Sequence, residues 1–285
     1  MQTVLLPDRT LITVSGNDAE HLLQNVITCD LDSLTDGSAR PGALLTPQGK
    51  ILFDFLIARS TSGGLTIDIS ADQAAAFIKR MMLYKLRSDM TLSAQNDMQV
   101  AVAFGENVSY PDSAVRDERF KAATVYRWAA ERSDAQENDR HQWDLLRIQH
   151  GIAEGGLDYP LGEAFPHDVS LDQNGGVDFK KGCYVGQEVV SRMQHRGTAR
   201  RRIMIAKSAQ GFDTATNEVL ANGKSVANLG TKVGDRALLL GRIDRVDDAI
   251  KECTPLMVGD VAIDDVQLPP SVGYVWPVEA QSPDG

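Results

Sequence analysis

The sequence predicts an α+β fold, with a body of strands and helices over residues 1–198, a small antiparallel β-barrel over 199–278 and a frayed tail at 279–285. Three observations predict it. Segments that alternate apolar and polar side chains recur through the first hundred or so positions. Residues 72–87 and the stretch around Trp143 carry apolar side chains near helical spacing. After about residue 200 the pattern changes to short apolar runs separated by Gly and Asn turns, as in a small antiparallel barrel.

Residues 3–14 read as strand, with a turn at Pro7-Asp8-Arg9. Asn17 and Glu20 have the spacing of a capping box, and Leu22, Leu23 and Val26 form the apolar face of the short helix behind it. Strands follow at 42–46 and 51–59, joined through Thr46-Pro47-Gln48-Gly49-Lys50, and at 64–70. The helix over 72–87 places Ala74, Phe77, Ile78, Met81, Met82 and Leu86 near one stripe. Strands near 90–94 and 98–104 lead to a polar loop at 106–119, an edge strand at 124–128 and a charged linker at 131–141. Residues 151–180 are rich in Gly, Asp and Pro and read as irregular, a length of loop that is often functional. Barrel strands are expected near 201–207, 217–221, 225–229, 236–246, 260–266 and 272–276, with Asn222-Gly223 as a hairpin turn.

The 285 residues suffice for a substantial core, and 42% hydrophobic with 24% charged content is ordinary for a globular protein. No stretch approaches the roughly 18 apolar residues of a membrane span. The opening MQTVLLPDRT lacks the basic start and apolar core of a signal peptide, so a cytoplasmic protein with no membrane partner is expected. A net charge of −10 argues against direct nucleic-acid binding. One basic stretch stands out: Lys180, Lys181, Arg192, Arg196, Arg200, Arg201 and Arg202. It reads as a solvated edge or as the seat of an anionic ligand or partner.

The three cysteines, Cys29, Cys183 and Cys253, form no C-x-x-C pair, which argues against a disulfide scaffold or zinc ribbon. There is no Walker-type phosphate loop and no H-E-x-x-H helix. A Cys–His hydrolase would need Cys183 to meet His167 or His195, and nothing supplies its oxyanion site. Cys29 and Cys253 read as structural or incidental. Cys183 differs. It lies in Lys180-Lys181-Gly182-Cys183-Tyr184-Val185-Gly186-Gln187-Glu188, between two lysines and a helix expected over 186–195. Cations and a helix N-terminus favour thiolate over thiol, and the two glycines give the backbone freedom to approach a ligand. The alternative is a buried thiol at a helix start.

The run K-G-C-Y-V-G-Q-E resembles that of the YgfZ-type folate-binding proteins, relatives of the glycine-cleavage T-protein (an aminomethyltransferase) and of mitochondrial iron–sulfur maturation factors. Arg196-Gly197, the stretch from Leu11 to Leu31, Thr46-Pro47-Gln48-Gly49-Lys50 and Trp143 to Gly151 extend the resemblance over most of residues 4–205. It implies a T-protein-like body of β-sheet and helix modules around a central cavity, followed by the barrel. It also implies tetrahydrofolate or a derivative as cofactor. Trp143 aligns with a tryptophan that the family uses for folate, helix core being its other reading. A second such tryptophan falls near Arg9, where this chain departs from the pattern.

Asp168 and Glu188 are candidate acceptors for the pterin edge, and Gln187 for fixing a ligand amide. Lys181, Tyr184 and Arg192 complete the expected binding set. For Glu188 and Arg192 a helical i,i+4 ion pair is the simpler role, and for Tyr184 core packing stands beside ligand contact. Cys183 is the expected reactive residue. A [4Fe–4S] centre takes four cysteine ligands as a rule, so one thiol holds no self-contained cluster, and no stably bound metal is expected. The expected function is support for assembly or repair of iron–sulfur proteins, including tRNA-modifying enzymes, with iron–sulfur assembly proteins or client enzymes as partners. The alternatives are a folate-dependent aminomethyl or one-carbon transferase and a non-catalytic adaptor without folate.

Overall fold

Proline fixes φ and ends a strand, and Pro7-Asp8 does so between β1 (Gln2–Leu6) and β2 (Arg9–Ser15). The two do not pair as a hairpin. The turn sends them to separate partners, β1 to β7 and β2 to β5 and β6. A computed structural model describes residues 2–61, 63–132 and 140–277, so part of the expected 131–141 linker and the 279–285 tail lie outside the described residues. Helix α1 (Ala19–Gln24) follows β2, but the expected capping box is not made. The Asn17 amide instead donates to Asp89 Oδ2 at 3.0 Å, and Glu20 pairs with Arg59 at 2.7 Å. Both side chains found partners distant in sequence.

The body continues with β3 (Ser38–Leu45), β4 (Ile51–Arg59), β5 (Leu65–Ser70), α2 (Ala74–Lys85), β6 (Thr91–Ala94), β7 (Met98–Phe104), β8 (Val115–Asp117), β9 (Val125–Glu131), α3 (Arg140–His150) and α4 (Gln187–Arg196). Its nine strands form one sheet in the order β1-β7-β9-β8-β3-β4-β5-β2-β6. The segment expected as polar loop contains β8, which pairs parallel to β3 and joins the two halves of the sheet. Consequently β9 is not an edge strand: it lies between β7 and β8. The sheet curls back on itself, so that Leu11 of β2 and Val100 of β7, strands not paired with each other, share one apolar cluster. Residues 151–180 are irregular, as the composition predicts, with many turns.

The C-terminal part has β10 (Arg201–Lys207), β11 (Glu218–Ala221), β12 (Lys224–Val233), β13 (Arg236–Arg242), α5 (Ile243–Lys251), β14 (Leu256–Val258), β15 (Val261–Ile263) and β16 (Asp265–Gln267). The seven strands run β15-β14-β11-β12-β13-β10-β16, all antiparallel. The two outer strands are neighbours in sequence, which brings the ends together into a nearly closed barrel. Two expectations are corrected. The strand expected to 246 stops at Arg242 and turns into α5, whose Ile243, Val246 and Ala249 are buried at helical spacing. The segment 272–276 is not a strand.

Buried charge holds the body together. Arg9 Nε meets Asp68 Oδ1 at 2.5 Å, and Arg127 Nε meets Asp68 Oδ2 at 2.7 Å. Arg127 Nη1 and Arg119 Nη2 share Asp117 Oδ2 at 2.7 and 2.8 Å. Behind them Glu154, only 5% exposed, has Arg9, Arg119 and Arg147 each at 3.9 Å and Arg140 at 3.5 Å. Arg147, fully buried on α3, also bridges to Asp158 at 2.8 Å and donates to Thr231 Oγ1 on β12 at 2.9 Å. Asp158 Oδ1 accepts from Thr231 N at 2.7 Å, which ties body to barrel. Neighbouring Gly230 is required there, because a Cβ would lie 2.7 Å from Asp158 Oδ1.

Burial alone would push the Glu154 carboxyl up, but Arg147, Arg9, Arg119 and Arg140 outweigh it and hold it well below the usual carboxylate range. A carboxyl depressed by folding stabilises the native state above its unfolded pKa, and that stabilisation is lost as pH falls toward the folded value. The urea midpoint should therefore decline below about pH 5. Glu154→Gln should cost about 3–5 kcal/mol at pH 7, by removing the carboxylate charge that four guanidinium groups share, and should flatten the acid limb. Urea melts of both proteins from pH 7 to pH 3 check this.

Candidate functional site

The run around Cys183 folds as a loop pinned on both sides of the thiol. Asp178 Oδ1 accepts the backbone N–H groups of Lys180 and Lys181 at 2.6 and 2.7 Å. The Lys181 ammonium reaches inward and donates to the carbonyls of Ile27 and Cys29 at 2.9 and 2.7 Å. Tyr184 is buried in the apolar cluster of Ala43, Leu45, Ile51, Val190 and Ile203. Val185, the next residue, packs on a different cluster that includes Ile27, Phe55 and Phe77. With its neighbours anchored in two cores, Cys183 is left exposed.

Gly186 then caps α4 with φ +81°, a conformation that glycine adopts without steric cost. It sits against the Thr46–Lys50 turn: a Cβ at Gly186 would lie 2.5 Å from Thr46 O, and one at Gly49 would lie 3.1 Å from Val189 Cβ. Two sequence runs more than 130 residues apart thus meet backbone to backbone. The helix start is where the sequence predicts it.

The remaining expected site residues are not gathered around this thiol. Glu188 and Arg192 form an i,i+4 ion pair on the exposed face of α4. Gln187 Nε2 donates to Gly182 O at 3.4 Å, closing the loop on itself. Asp168 is buried, accepts from Phe165 N at 3.0 Å, and has its carboxyl pushed up by burial. Trp143 is fully buried and packs on Phe104 and Phe120, at ring distances of 6.1 and 5.6 Å.

Of the basic stretch, Lys181 and Arg202 turn inward. Arg202 pairs with Asp172 at 2.9 Å and lies over the Tyr274 ring. Lys180, Arg192, Arg196 and Arg200 stay exposed. The Lys181 ammonium is thus committed to carbonyls near Cys29, and its own pKa is lowered by burial. Cys29 itself is fully buried, and burial pushes its thiol up to about 12 although Lys181 and Arg40 pull the other way.

At the centre of the body lies a cavity of about 20 Å³, lined by Arg9, Asp54, Arg119, Tyr159 and Asn174 among others. That is room for about one water molecule. A polar cleft of about 560 Å³ opens beside it, with Arg40, Arg116 and Lys121 facing Asp30, Glu118 and Asp178. None of Trp143, Asp168, Lys181, Tyr184, Gln187, Glu188 and Arg192 lines either space. These residues are not gathered around either space, and Arg9, near which the resembling family has a folate-contacting tryptophan, is held by Asp68. The buried network of Arg9, Arg119, Arg127, Arg147 and Glu154 went unread in the sequence. Its signal was single charges inside apolar strands, such as Asp68 in LTIDIS and Arg127 in VYRWAAE.

Comparison with known proteins separates fold from function. Residues 200–277 match the family model of the CAF17 C-terminal beta-barrel domain. A mitochondrial iron–sulfur cluster assembly factor IBA57 homolog of Mycosarcoma maydis is 33% identical over 225 residues, 70% of this chain and 55% of that protein. The human mitochondrial IBA57 is 26% identical over 269 residues, 82% of this chain and 76% of that one. The chain spans about half the length of several fungal relatives that it matches. Among solved structures, the glycine cleavage system aminomethyltransferase T of Bartonella henselae superposes with a TM-score of 0.66 at 14% identity, covering 93% of this chain and 84% of that one. The fold is therefore T-protein-like, and the sequence homologues are iron–sulfur cluster assembly factors. They also overturn the expected cytoplasmic location, because these relatives are mitochondrial proteins.

Thiol accessibility gives a direct check of the loop. A thiol reagent should titrate two cysteines in the native protein, Cys183 and Cys253, and Cys29 only after denaturation. Cys183→Ala should leave one.

Proposed function

We propose that this chain is a maturation factor for iron–sulfur proteins, offering Cys183 as one ligand to a cluster that a partner protein also holds. The observation that carries the reading is the exposed Cys183 on a loop whose flanking residues are anchored in two apolar cores. The names of the sequence relatives give it context. The cluster is cargo, and this chain supplies a single site for it. Among the described residues no group of three or more His, Cys, Asp or Glu is placed to hold a metal ion, so the remaining ligands come from the partner.

On binding iron the thiol gives its proton to solvent. The exposed Arg196 and Arg200 suit an acidic partner surface. Those partners are iron–sulfur assembly proteins or their client enzymes, tRNA-modifying enzymes among them.

No step is assigned to tetrahydrofolate. Arg9 in its ion pair and the small central cavity favour an adaptor over a folate-dependent one-carbon transferase. Titration of tetrahydrofolate against the fluorescence of Trp128, Trp143 and Trp276 should show no saturable binding below about millimolar, where affinity is only about 4 kcal/mol. Saturable micromolar binding would restore the transferase reading.

Cys183→Ala should fold with stability within about 0.5 kcal/mol of the parent, because the side chain is exposed. In cells lacking the native gene it should fail to restore [4Fe–4S] enzyme activity. Full restoration by this variant removes the thiol from the mechanism.

A further inference from the structure

The inner face of the curled nine-strand sheet carries a second cavity, on the opposite side of the buried charges from the central one. Its volume is about 180 Å³. Leu11, Ala39, Leu56, Ala58, Val100 and Val115 form its apolar walls, one or two side chains from each of β2, β3, β4, β7 and β8, and Arg59, Ser60, Thr61, Thr66 and Ser113 add a polar part of the lining. Asp68 and Arg127 form its floor. On the far side of that floor, Arg9 and Arg119 line the central cavity. Trp128 and the exposed Ala129, on β9, stand at the rim.

Small side chains make this space. Alanine is depleted in strands because it packs poorly there, yet Ala39 and Ala58 face one another on neighbouring strands, paired in register. With Leu56 they form an apolar cluster of their own, apart from the larger cores, with Val115 packed against it. The floor is saturated. Both Asp68 carboxylate oxygens accept from Arg9 and Arg127, and the Arg127 guanidinium is shared between Asp68 and Asp117. Arg59, also in the lining, is held by Glu20 at 2.7 Å and by the carbonyls of Leu31 and Leu34, so a charged ligand would lose its hydration and meet only counter-charges that already have partners. A neutral apolar group meets the apolar walls, and a volume of about 150 Å³ is enough for a benzene ring.

We propose that this pocket is a binding site for a small uncharged apolar molecule, a single aromatic ring or a branched aliphatic group of similar size. It is independent of Cys183, whose loop contributes none of its lining.

The test uses the full chain and toluene as probe, with methyl NMR shifts and Trp128 fluorescence as readouts. The parent should bind toluene saturably, with shifts centred on the Ala39, Ala58 and Val115 methyls. Benzoate, which has the same ring and a charge, should bind at least tenfold more weakly. Ala58→Leu should fill the pocket and lower toluene affinity at least tenfold. Ala129→Phe, at the exposed rim, should do the same without disturbing the core, and it covers the case in which Ala58→Leu does not fold. The proposal is overturned if the parent shows no saturable toluene binding. It is also overturned if a folded filled variant binds toluene like the parent, or if benzoate binds as well as toluene.

Discussion

Glu154 sits in the interior with four guanidinium groups within 4 Å, drawn from β2, from the segment after β8 and from α3. A carboxylate in such a place is tolerable only because those groups surround it, and each arginine in turn is tolerable only because of the carboxylates. The arrangement therefore fixes several elements at once. Asp68 holds Arg9 and Arg127, so β2, β5 and β9 are bound across the curled sheet. Asp158 and Arg147 carry the same logic to Thr231 and the barrel. Moving one strand would strand several charges, which makes the network a strong determinant of register.

The network also decides what the centre of the body is able to hold. Its side chains fill the middle of the T-protein-like fold and leave space for about one water. Apolar space is displaced outward, to the far side of the Asp68–Arg127 floor. Cys183 sits elsewhere, on a loop that touches the body through Lys181, Tyr184 and Val185. The buried charges and the exposed thiol are thus separate: one set is enclosed among its ion-pair partners, the other is presented to solvent.

Much of the fold was legible from periodicity. The strands at 51–59, 64–70, 98–104 and 201–207 and the helices over 72–87 and 186–195 fall within a few residues of their expected bounds. Misses came where local signals were outvoted. Asn17 and Glu20 have capping-box spacing, but Asp89 and Arg59 offered stronger partners. The run 236–246 is apolar enough for a long strand, yet its last residues bury Ile243 and Val246 on one side of a helix. The three residues of β8 are too few to show any period.

The sequence by itself determined the alternation of elements, the barrel in the last third, and the loop that sets Cys183 beside a helix start, because these depend on residues a few positions apart. Only the tertiary structure decided that Lys181 staples carbonyls near Cys29, that Trp143 is core, and that Arg9 faces Asp68 and Glu154. Coulombic attraction and desolvation depend on separation through space. Arg9 and Asp68 are 59 residues apart in the chain and 2.5 Å apart in the fold, and no local pattern records that distance.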